Sequence, residues 1–190
     1  MATAVSTVLA QLREDHRNIA LLLQLLERES RRIADGLEPD YELAHDIMRY
    51  MTSYPDSVHH PREDRIYHRL MIVAPDMLSG IEGILEEHDQ LGHLGAALRD
   101  RLDAVEAGSV VRRDSLARSA AEYVSKMRDH MRWEEAALFT LADELLADED
   151  WDALPGRSDQ SHDPVFGPAV QSSYESLYRF IRNEADALDH

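Results

Sequence analysis

The chain predicts an all-α fold, an up-down-up-down antiparallel four-helix bundle with an additional C-terminal helix. Four long segments carry apolar residues at alternating spacings of three and four, the period of a helix buried along one face. Leucine, alanine, arginine and glutamate dominate, and only 8 glycines and 7 prolines fall among 190 residues, so helix is favoured throughout. The pattern also repeats. Shifting the first half by 71 residues lays His59 on His130 and Glu63 on Glu134, while His16 lands one residue short of His88. Two copies of a helix pair would fold as one bundle.

The first helix is expected from about Ser6 to Ala34, with Leu9, Leu12, His16, Ile19, Leu23 and Leu26 in its stripe and Asp35-Gly36 as its end. The second starts near Asp40, an N-cap candidate, and runs through Ile47, Met51, Tyr54, His59, Glu63 and Leu70. Pro55 and Pro61 interrupt it. Each removes a hydrogen bond and clashes with the preceding turn, so a kink or short break is expected beside His59. The third helix is expected from Asp76 to about Ala107 with His88 in its stripe, and the fourth from Arg112 to Leu146 with His130, Glu134, Leu138, Leu141 and Leu145 aligned. Residues 1–150 form the bundle in this reading. Residues 151–190 form a loop, Pro155 to Pro168, and a last helix to Leu188 packed on the bundle.

Composition excludes several classes. The chain has no cysteine, so disulfides, thiolate metal sites and thiol catalysis are absent. Its formal charge of -17 repels nucleic acid and anionic lipid, and no apolar run reaches the ~20 residues of a membrane span. The start of the chain lacks the basic residues of a signal peptide, and a cytoplasmic monomer or homodimer is expected.

Each bundle helix places one histidine in its apolar stripe: His16, His59, His88 and His130. Glu63 and Glu134 follow His59 and His130 by four residues, hence on the same face one turn on. Buried unpaired carboxylates are costly, so two of them at the level of four histidines point to a metal site. Imidazole and carboxylate without thiolate suit iron, manganese or zinc. Six ligands with two carboxylates able to bridge favour two ions, and would crowd zinc. The Glu-x-x-His order of ferritin-like di-iron sites is absent, and the order here is His-x-x-x-Glu.

That order resembles the hemerythrin-like (HHE cation-binding) family over roughly Leu9 to Leu146. Glu14-Asp15-His16, His59-His60-Pro61-Arg62-Glu63-Asp64, Glu86-Glu87-His88 and His130-Met131-Arg132-Trp133-Glu134-Glu135 carry the resemblance. Asp163-Pro164-Val165-Phe166-Gly167 is similar to the tail of many bacterial members. The resemblance implies two irons bridged by an oxo or hydroxo group. His16 and His59 would hold one, His88 and His130 the other, and Glu63 and Glu134 would bridge them. It further implies a small ligand such as oxygen, peroxide or nitric oxide, in oxidative or nitrosative stress, oxygen or iron handling. Two readings stay open: a peroxidase-like, catalase-like or nitric-oxide-related redox enzyme, and a carrier or sensor without turnover.

The chain departs from the oxygen-carrier pattern at Gly92, where a fifth histidine would stand. His93 would reach the site only through a π-bulge in the third helix, which Gly92 and Gly95 would permit. Two octahedral irons have twelve positions; four histidines, two bridging carboxylates and one bridging oxygen fill ten, leaving one open on each ion. The set also resembles that of the iron-sulfur repair proteins, which carry a cysteine-bearing domain not found here. His60 lies about 100° round the helix from His59 and is expected on the surface or beside a ligand. Tyr67 and Tyr123 are expected in the core, with a hydroxyl on a bridging glutamate or bound ligand as the sharper alternative. Asp15, Glu87 and Asp129 point away from their neighbouring histidines and read as surface acids, and His45, His68, His162 and His190 as solvated.

Overall fold

The computed structural model describes residues 4–79, 81–154 and 162–188. His190 and the first part of the expected loop, 155–161, lie outside them. The described residues are helical with no strand: α1 (Ala4–Ala34), α2 (Tyr41–Met51), a π-helical turn (Pro55–His59), α3 (His60–Val73), α4 (Ile84–Glu106), α5 (Arg113–Ala136), α6 (Leu138–Leu145), α7 (Asp148–Asp152) and α8 (Glu175–Leu188). Four legs make the bundle, the second being α2 and α3 joined through the π-turn and the fourth α5 and α6. α1 packs on α5 and α2, and α4 on α2 and α5. No helix among the described residues is long and apolar enough to cross a membrane.

Local chemistry sets most of the ends. Gly36 closes α1 at φ 74°, a left-handed value that costs glycine little. The Asp40 side chain accepts from Leu43 N at 2.9 Å and caps α2, while buried Glu29 accepts from Asp40 N at 2.8 Å. Two ends differ from expectation. Residues 75–77 form only a short 3-10 turn, and α4 begins at Ile84 after Gly83, whose φ of 103° cannot continue a helix. The fourth leg breaks at Ala137, where φ -115° and ψ -66° leave α-helical geometry. Beyond that break the buried face turns: Phe139, Ala142 and Leu146 are buried with Leu138, while Leu141 and Leu145 are only half-buried.

The second leg breaks just ahead of its first proline: α2 ends at Met51 and residues 52–53 form a turn. It takes one extra residue into a turn, so that the His60 N–H bonds to Pro55 O across five residues. Pro55 and Pro61 have no N–H to complete the ordinary ladder here, and the wider turn leaves fewer donors and acceptors mismatched.

The apolar core is split in two. One cluster holds Ile19, Leu22, Leu26, Ile47, Met51, Tyr54, Leu91, Leu98, Tyr123 and Met127; the other holds Leu9, Leu12, Ile66, Leu70, Ile84, Leu138, Phe139 and Trp151. On every leg a histidine stands between members of the two. Each buried leucine or isoleucine stabilises the fold by about 1.5–3 kcal/mol, so the apolar layers can sustain a polar layer between them.

The C-terminal segment is tied to the second leg. Buried Asp163 accepts from Tyr50 Oη at 2.6 Å and from the Val165 and Phe166 amides at 2.8 Å. Tyr174 and Leu177 are buried, and α8 packs on α2.

Candidate metal centre

The structure brings His16, His59, Glu63, His88, His130 and Glu134 together in the layer between the two apolar clusters. All are buried, and both glutamates are fully so. Four-residue spacing on α3 and α5 stacks each histidine over its glutamate, with His59 Nε2 3.2 Å from Glu63 Oε1 and His130 Nε2 3.3 Å from Glu134 Oε1.

The histidines form two pairs. The His16 and His59 rings lie 4.9 Å apart, and the His88 and His130 rings 4.8 Å. Each carboxylate spans both pairs. Glu63 turns Oε1 toward His16, at 3.4 Å, and His59, and Oε2 toward His88 at 3.6 Å. Glu134 turns Oε2 toward His16 at 3.4 Å, and Oε1 toward His88 at 3.2 Å and His130.

These contacts are close without being saturated. His16 Nε2, His130 Nε2, both oxygens of Glu63 and Oε2 of Glu134 are buried and have no aligned hydrogen-bond partner. An unmade hydrogen bond on a buried charged group is expensive. His88 Nε2 and Glu134 Oε1 are hydrogen-bonded at 3.2 Å; the other polar atoms converge at 3.2–3.6 Å without that alignment and fit donors directed at shared cations. The donor set fits a metal.

The far nitrogen of each ring is engaged. Nδ1 meets a carboxylate on every one: Glu135 at 3.0 Å for His16, Asp15 at 3.1 Å for His59, Asp64 at 2.7 Å for His88 and Glu87 at 3.0 Å for His130. A carboxylate on Nδ1 sets the tautomer and leaves the Nε2 lone pair for a metal. Asp15 is itself fixed by Gln11 Nε2 at 2.9 Å and Tyr54 Oη at 3.2 Å. Asp15 and Glu87 are therefore not idle surface acids, and Asp15 is fully buried. Each points 100° away from its own histidine, as expected, and that direction faces the next leg. Asp129 is a surface acid, exposed and paired with Arg132.

The site is electrostatically tense. Burial opposes the charged form of His16, but the adjacent Glu134 and Glu63 carboxylates outweigh it and raise its pKa to about 10. The same contest, with burial first and then the Glu63 charge and the Asp15 hydrogen bond, raises His59 to about 9. Burial against the Asp64 and Glu134 hydrogen bonds raises His88 to about 10. Burial also opposes ionisation of Glu63 and Glu134, yet the imidazoles hold both below the ordinary carboxyl value. The layer favours carboxylates with a cation among them.

The remaining candidates separate. His60 is buried, not at the surface, and stacks on His88 with ring centroids 4.3 Å apart. Burial lowers its pKa. His93 is exposed on a continuous α4, its Nδ1 2.6 Å from Asp89 O; without a π-bulge there, it does not reach the site. Tyr67 packs in the apolar cluster with Ile66 and Leu70, and Tyr123 against Gly95; no hydrogen bond joins either to Glu63 or Glu134 among the described residues. His68 and His162 are exposed, while His45 lies 2.8 Å from Asp103 at the rim. An open cleft of about 430 Å³, lined by Asp56, His60, Asp64, His88, Asp89 and Gly92 among others, leads to the His88 side.

A model of the hemerythrin HHE cation-binding domain family matches residues 7–149, well over half of the chain. The chain belongs to the hemerythrin HHE cation-binding family. No curated protein matches the sequence. The HHE domain spans α1 to α6 and the start of α7, so it contains the whole buried histidine–glutamate layer and stops short of α8. The acids that grip Nδ1 escaped the sequence reading. Their signal was position: each of the four stands directly beside a proposed ligand in the chain.

Proposed function

We propose that the HHE domain holds two iron ions, bridged by an oxo or hydroxo group, and binds or reacts with a small ligand such as oxygen, peroxide or nitric oxide. The observation that supports this reading best is the way each glutamate divides its two oxygens between the two histidine pairs. A carboxylate serving one ion would turn both oxygens to it. His16 and His59 would hold one ion, His88 and His130 the other, with Glu63 and Glu134 across both. The irons would supply paired one-electron redox centres and open coordination positions.

The chain's own residues do the rest. Asp15, Asp64, Glu87 and Glu135 hold the rings in one tautomer and orientation. The apolar layers on either side keep bulk water from the carboxylates and strengthen every electrostatic contact. The cleft beside His88 and Gly92 is wide enough for a diatomic or peroxide.

Anaerobic iron loading tests the reading. Wild type should take up two irons per chain, and the double variant His59→Ala, His130→Ala none. Spectra of the loaded protein before and after oxygen, peroxide and nitric oxide should change with at least one of them, and turnover of peroxide would separate enzyme from carrier. A folded wild type that binds no iron would sink the proposal.

A further inference from the structure

The geometry points to His60 as a further metal ligand, the third histidine on the ion that His88 and His130 would hold; this rests on the two-ion reading above. On a regular helix His59 and His60 would face about 100° apart, and only one could enter the layer. His59 ends the π-turn and His60 follows it, and both are buried, at 1% and 4% exposure.

The ring spacing suits a shared ion, which His60 would bind by turning out of its stack on His88. Two imidazoles bound side by side on one octahedral ion, with metal–nitrogen bonds of roughly 2.1 Å, bring their ring centres to about 4.5 Å with their planes far from parallel. His60 lies 4.3 Å from His88 with the rings 13° from parallel, and 5.7 Å from His130 edge-on. Ligating atoms of His60, Glu63, His88 and His130 all fall within 4.8 Å of one another. The Nδ1 of His60 is 3.5 Å from Asp56 Oδ1, one turn back. That is a longer contact, within one leg, than the carboxylate hydrogen bonds on the other four histidines, but it engages the same ring nitrogen.

The opposite pair has no such group. The residue 71 positions after His60 is Met131, which is buried and apolar. His16 is covered instead by Phe139, stacked on it at 5.3 Å. The fifth imidazole thus comes from the second leg, not from Gly92 on the third. It would fill a position on the ion of His88 and His130 and leave the ion of His16 and His59 with fewer protein ligands.

Cobalt(II) and iron(II) titrations of wild type, His60→Ala, His60→Asn and the surface control His68→Ala test this. Loss of even an outer partner of a metal ligand costs about 10–100-fold in affinity. Both His60 variants should bind the second ion at least about tenfold more weakly than wild type and His68→Ala, with a changed cobalt ligand-field spectrum. Added imidazole should restore the wild-type spectrum to His60→Ala. A second-ion affinity and spectrum equal to wild type in a folded variant would overturn the assignment while leaving the two-ion site intact. Wild type that binds no metal would overturn both. Should the variants not fold, proton NMR of cobalt-loaded wild type decides. A shifted, exchangeable imidazole N–H for His60, beside those of His16, His59, His88 and His130, supports the assignment, and its absence overturns it.

Discussion

Asp15 precedes His16 on α1, yet its carboxylate is hydrogen-bonded at 3.1 Å to His59 on the neighbouring leg. The same displacement recurs around the bundle. Glu87, beside His88, serves His130; Asp64, beside Glu63, serves His88; Glu135, beside Glu134, serves His16. Each leg therefore holds the next one's imidazole, and the ring of contacts closes on itself.

Asp15→Ala should weaken metal binding by about 10–100-fold, since His59 loses the group that sets its tautomer. It also strips buried Tyr54 of an acceptor, at a cost of roughly 1–3 kcal/mol. Metal titration and thermal unfolding of the metal-free protein check the two effects separately. A variant unchanged in both would show that the Asp15 contact carries no energy.

Metal uptake should strengthen with pH. In the metal-free protein His16, His59 and His88 have pKa values raised to about 10, 9 and 10, so they are protonated at neutral pH and must release protons to coordinate. The raised values stabilise the metal-free fold fully below the ordinary histidine value of 6.5, and that support is lost as pH climbs through 9 to 10. The lowered values of Glu63 and Glu134 act the other way: their support is present above 4.5 and lost on acidification. Metal-free protein should be most stable between 4.5 and 6.5, and the melting gap between loaded and metal-free protein should widen above that range. Calorimetric titration in buffers of different ionisation enthalpy should report proton release at pH 7. Buffer-independent heats would contradict it.

Gly92→His should fold and load metal as wild type does. A Cβ there would meet nothing nearer than Asp56 Oδ2 at 4.0 Å, and leaving glycine behind favours the helix by a few tenths of a kcal/mol. The new imidazole stands in the cleft opposite Asp56. Stopped-flow mixing of the iron-loaded protein with azide or peroxide should show entry slowed several-fold. Unaltered rates would mean that ligands reach the site by another route.

Gly167→Ala should loosen the C-terminal segment. Its Cβ would fall 2.3 Å from the carbonyl oxygen of Asp163, which no flexible side chain can relieve. The turn that aims Asp163 at Tyr50 would open, and hydrogen exchange at Val165 and Phe166 should rise. Exchange equal to wild type would show that the turn absorbs the methyl group.

Helical spacing made the four legs legible, and with them the six residues that meet in the buried layer, because a histidine and a glutamate four apart must share a face. Spacing along one helix says nothing about what a residue turned 100° away meets on the next, so the role of Asp15 and Glu87 was hidden. The break at Ala137 has no glycine or proline to announce it. The π-turn did leave a trace. His16 lies eighteen residues before the end of α1 at Ala34, and His88 eighteen before the end of α4 at Glu106. Connections of equal length follow, 35–40 and 107–112. Tyr41, opening α2, is then eighteen residues before His59, while Arg113, opening α5, is only seventeen before His130. The one-residue mismatch between the two halves is the extra residue of the π-turn.

In genetic terms, the stretch from His16 to His59 is one codon longer than that from His88 to His130. A duplicated pair of helices of equal length would build two equivalent ions, each facing the same surroundings. One extra triplet between those for Thr52 and His59 would be enough to widen a turn and, with two ions in the layer, to make their surroundings unlike. A change of length, together with histidine where the other half has methionine, would set the two sides of the layer apart.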